Sequence, residues 1–78
     1  MQYIDYIKLG FVRVDYDDTV FNRTGYHPFI LERIINDRMK VYATSEELDK
    51  PILQVGKDED KVERIYLTES QVFKIFGE

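Results

Sequence analysis

The chain has 78 residues, no cysteine and no tryptophan; 44% of it is hydrophobic and 33% charged, with eleven Lys and Arg against fifteen Asp and Glu for a net charge of −4. At this length only about 60% of the unfolded surface is buried on folding, which allows one core and excludes an enzyme with a second domain. The lack of cysteine excludes disulfides, thiolate metal sites and cysteine nucleophiles, and no apolar run approaches the roughly 18 residues of a membrane span.

Gln2 to Leu9 places Tyr3, Ile4 and Ile7 at helical spacing, with Gly10 where a helix takes a left-handed residue, so a short N-terminal helix is expected. Ile and Tyr also favour strands, and an edge strand is the competing reading. Phe11 to Tyr16 alternates, with Val12, Val14 and Tyr16 on one face and Phe11, Arg13 and Asp15 on the other, the period of a half-buried strand. Asp17, Asp18, Asn22, Thr24 and Gly25 surround Val20 and Phe21, the mark of a long hairpin loop or a bulged short strand.

Phe29 to Ile35 reads as a central strand, and Asn36-Asp37 as the turn into a second strand from Met39 to Thr44. Thr44 and Glu47 resemble a capping box, but Pro51 disfavours helix at Lys50, so at most one helical turn fits there. Ile52 to Val55 and Val62 to Leu67 form a second hairpin across the charged turn from Gly56 to Lys61. Thr68 as N-cap, Gln71 as its capping-box partner and the Leu67–Val72 staple start a helix at Glu69, which Gly77 ends; Val72, Phe73 and Phe76 share its face.

These elements predict an α+β fold, a single domain over 1–78: an antiparallel four- to five-strand meander sheet with a short N-terminal helix and a C-terminal helix covering its apolar face. A small, partly open barrel capped by the last helix is the alternative. Phe11, Phe29, Phe73 and Phe76 are expected in the core, with Tyr3, Tyr6, Tyr26 and Tyr42 at its edge. With neither a basic nor an uninterrupted apolar stretch in its first ten residues, the chain reads as cytoplasmic. A domain this small without a covalent staple gains from dimerisation, so a homodimer is expected.

Charge is uneven: six basic and five acidic side chains lie between Lys8 and Lys40, five and nine from Val41 onward, and four of the five arginines fall in the first half. An anion site is therefore sought there. Asn22 to His27 supplies a guanidinium at Arg23, a ring at Tyr26, an imidazole at His27 and a flexible glycine, the parts of a phosphate or nucleotide pocket and equally of an ordinary turn. Arg13 and Arg33 are the further candidates for such a ligand.

Asp15, Asp17 and Asp18 lack the spacing of a calcium loop, and one histidine makes neither a two-histidine metal site nor a relay within one chain. No catalytic set, metal or cofactor is implied. Six tyrosines and five phenylalanines are more rings than a small core easily hides, which points to a protein partner met by sheet-edge and tyrosine contacts. Tyr42 and the acidic turn Asp58, Glu59 and Asp60 are the candidate partner surface. The negative balance and the lack of a basic stripe argue against nucleic acid.

Leu9-Gly10-Phe11, Arg13 and Asp15, then Thr24-Gly25-Tyr26, Phe29 and Glu32, with Leu67-Thr68 entering a final helix, resemble small accessory proteins of bacterial phages and mobile elements. The resemblance implies a role in the contest between phage and host, as a protein that blocks a host enzyme or sequesters a signalling nucleotide. The expected function is thus a non-enzymatic binding protein, an inhibitor of a host protein; binding of a nucleotide or other phosphorylated ligand is the alternative.

Overall fold

A computed structural model of the chain describes residues 1–15, 28–56 and 61–77. The first helix, α1 (Tyr3–Lys8), stops where Gly10 adopts φ 88°. Gly10 N–H donates to the Ile7 carbonyl at 3.0 Å and Phe11 N–H to that of Tyr6 at 3.0 Å, the paired bonds of a Schellman motif. The hydrophobic contact that accompanies this motif is present too: the rings of Tyr6 and Phe11 meet edge to face at 5.1 Å.

The chain then runs through β1 (Val12–Asp15), β2 (Phe29–Asn36), β3 (Met39–Thr44), β4 (Ile52–Val55) and β5 (Glu63–Tyr66) to α2 (Glu69–Phe76). The strands form one sheet in sequence order, every neighbouring pair antiparallel. This is the meander read from the sequence, open between its edges β1 and β5 rather than closed into a barrel. No described residue other than glycine has positive φ, so the Asp37-Arg38 connection lacks the primed turn that matches strand twist. A register irregularity between Ile34 and Asn36 takes up the mismatch, and the Asn36 side chain accepts from Arg38 N–H at 2.8 Å. From Thr44 to Lys50 there is no helical turn but two successive tight turns, Glu47 N–H to Thr44 and Lys50 N–H to Glu47.

Both helices cover one sheet face, around a core of Tyr6, Phe11, Leu31, Val41, Ala43 and Val72. Register aligns Arg13–Leu31–Ala43 and Arg33–Val41–Leu53–Ile65 in rows across that face. The result is a two-layer α+β architecture, with two corrections to the expected core. Tyr6 belongs at its centre, fully buried, whereas Phe73 is 42% exposed although it lies on a helix. In β1 the covered face is the one that continues from Phe11, so the valine face points away from the helices. Gly77 ends α2 without a left-handed turn: its φ is −84°, and a Cβ there would lie 2.7 Å from the Phe73 carbonyl oxygen.

Candidate functional site

The second sheet face carries three cross-strand rows: Val14–Ile30–Thr44, Val12–Glu32–Tyr42–Ile52–Tyr66 and Ile34–Lys40–Gln54–Arg64. Neither helix reaches it, and Val12, Ile34 and Tyr66 are 63%, 66% and 66% exposed. Val14 is exposed as well, and Ile30, Tyr42 and Ile52 between them are half-buried. Three charges interrupt this apolar surface. Lys40 pairs with Glu32 at 3.3 Å and lies 5.8 Å from the Tyr42 ring, and Arg64 stands in the outermost strand.

Tyr66, with Asp49, Lys50 and Leu67, lines a depression of about 320 Å³. At the opposite end of the face, the β2–β3 hairpin borders a cleft of about 360 Å³. Among the described residues, no group of three or more His, Cys, Asp or Glu is placed to hold a metal ion. None of the described helices is long and apolar enough to cross a membrane.

Of the ligand-binding candidates, Arg13 and Arg33 fall on the same sheet face, but it is the helix-covered one and each has a packing role there. The Arg13 guanidinium lies 4.1 Å from the Phe29 ring centre and 5.9 Å from that of Tyr3, and its Nε donates to Asp15 at 2.8 Å. Hydrogen bonding to Tyr3, and then to Asp15, raises its pKa above the ordinary arginine value. Arg33 donates to the Leu9 carbonyl at the C-terminal end of α1 and sits 4.5 Å over the Phe76 ring of α2. It therefore satisfies a helix-end carbonyl and ties both helices to the sheet.

Tyr42 lies on the open face, half-buried, in the row that ends at Tyr66. Arg23, Tyr26 and His27 lie outside the described residues, as do Asp17, Asp18, Asp58, Glu59 and Asp60. The residues that sequence reasoning missed are Val12, Val14, Ile34 and Tyr66, together with Arg38, Lys40 and Gln54 at the cleft. Alternation groups each strand's side chains into two faces but does not say which face the helices take. Comparison with protein-family models, with curated proteins and with solved structures finds no match to this chain.

Proposed function

We propose that the protein is a non-enzymatic binding protein that works through the open face of its sheet, and that the first occupant of this face is a second copy of the chain. The observation that supports the reading is the exposure of Val12, Val14, Ile34 and Tyr66 on one face that neither helix covers. Several large apolar side chains exposed on one face of a small domain mark an interaction site.

Self-association is favoured over other occupants because a two-fold interface needs a patch complementary to itself. The Tyr66 end offers both halves of such a contact, an exposed ring and the depression of about 320 Å³ that the same residue lines. Exposures between 38% and 66% leave about half of each side chain to bury, or roughly 1 kcal/mol apiece. Eight such side chains, four from each copy, set against roughly 4–15 kcal/mol for association, place the dimer in a weak, concentration-dependent regime. In keeping with the resemblance to phage accessory proteins, the same face then serves to occupy and block a protein of the host.

Size-exclusion chromatography with light scattering tests the reading. The parent chain is expected to approach twice its 9.4 kDa at high concentration. Tyr66→Asp, which charges an exposed position without touching the core, is expected to return it to one. A parent that stays monomeric at every concentration, or a Tyr66→Asp variant that still dimerises, overturns it.

A further inference from the structure

Beyond the interaction surface, we propose that the cleft at the β2–β3 hairpin end of the open face is a binding site for a nucleoside monophosphate. Its volume of about 360 Å³ lies within the range of small-ligand pockets, and its lining includes Ile34, Asp37, Arg38, Met39, Lys40 and Gln54. Gln54 carries the argument. It stands in the middle of β4, the residue is 8% exposed, and it lines the cleft while making no side-chain hydrogen bond among the described residues. Among the described residues no buried side-chain nitrogen or oxygen lacks a partner, so the Gln54 amide is open to solvent, where it presents a donor and an acceptor side by side to a group that carries the reverse pair.

An edge of a nucleobase is such a group, as in the amide reading of adenine at its N6 and N7. The cations around Gln54 supply the other half of the ligand. Arg38 has no ion pair or side-chain hydrogen bond among the described residues. Lys40, next to Gln54 in its row, spends one donor on Glu32 at 3.3 Å and has others left, and Arg64 flanks Gln54 on the far side. Asp37 is the one carboxylate in the lining, outnumbered by Arg38 and Lys40. Arg38 and Lys40 in the lining supply a guanidinium and an ammonium for a phosphate, and Ile34 gives the base an apolar contact. The site differs from the Arg23 to His27 loop and from the Tyr66 end of the face, so it stands or falls independently of dimerisation.

The test is a titration of the ¹⁵N-labelled full chain, followed by two-dimensional NMR, with AMP, adenosine, ribose 5-phosphate and inorganic phosphate as separate probes. AMP is expected to give saturable shifts at the Gln54 side-chain amide and at the backbone amides of Arg38 and Lys40. It should bind at least about tenfold more tightly than each of the three fragments, because only it meets the amide and the cations together. Arg38→Ala, in an exposed turn, and Gln54→Leu are each expected to weaken AMP by about tenfold or more. If Gln54→Leu does not fold, Arg38→Ala alone decides. The proposal is overturned by shifts that do not saturate, by saturable shifts confined to other residues, by inorganic phosphate binding as tightly as AMP, or by undiminished AMP affinity in Arg38→Ala.

Discussion

Tyr6 is completely buried, yet its hydroxyl donates to the Leu48 carbonyl, so a polar atom at the centre of the core is paired. Burial, with Asp49, Glu69 and Asp5 adding to it, pushes its pKa up to about 12. A raised tyrosine pKa means that the folded state keeps the proton while the unfolded chain, near the ordinary value of 10.0, loses it. Stability from this group is therefore complete below about pH 10 and is lost progressively up to about pH 12. Tyr6→Phe leaves the Leu48 carbonyl without its partner and is expected to cost about 1–2 kcal/mol at neutral pH. Denaturant melts from pH 9 upward check the linkage: the alkaline loss should be steeper in the parent than in the variant, and equal slopes would refute it. Arg33 and Gly10 show the same economy at the next position, since a Cβ on Gly10 would lie 3.2 Å from the Arg33 Nη1 that bonds the end of α1.

At the scale of elements, local chemistry sets boundaries reliably. Thr68 Oγ1 accepts from Gln71 N–H at 3.2 Å and Thr68 N–H donates to the Gln71 side chain at 2.8 Å, which is the capping box expected from the sequence. Thr68→Ala is expected to destabilise the fold by about 1 kcal/mol. Chemical unfolding measures this, and an unchanged midpoint would mean that packing of Val72 alone holds the helix. The start of α2, the Gly10 stop of α1 and the β2–β3 hairpin were legible because the signals lie within a few residues of the event. What the elements bury was less legible. Val72, Phe73 and Phe76 all lie within one stretch of α2, but only Val72 is fully buried and Phe73 is exposed over 42% of its surface. Similarly, alternation in β1 separated Phe11 from Val12 and Val14 without saying which side the helices would take.

For the whole molecule, the meander puts β1 and β5 at opposite edges and both helices on one side, so one sheet face is left to meet something else. If that something is a second copy, folding and association are linked. The melting temperature should then rise with protein concentration over roughly a hundredfold range, as mass action requires. In Tyr66→Asp the dependence should vanish, and a melting temperature independent of concentration in the parent would count against the dimer. The cleft belongs to this scale as well. Ile34, Lys40 and Gln54 come from three strands and meet only because the registers of β2, β3 and β4 align them.

The sequence by itself determined the element order, the caps, the turns and the α+β class, because each depends on backbone preferences and on periodicities of 3.6 and 2 that act over a few residues. Only the tertiary structure decided that Arg13 and Arg33 serve packing, that Tyr6 is the centre of the core, and that Val12, Ile34 and Tyr66 share an open face with Gln54. Those outcomes depend on strand register and on the side from which two helices approach, and a shift of one residue in register would send every side chain of a strand to the opposite face.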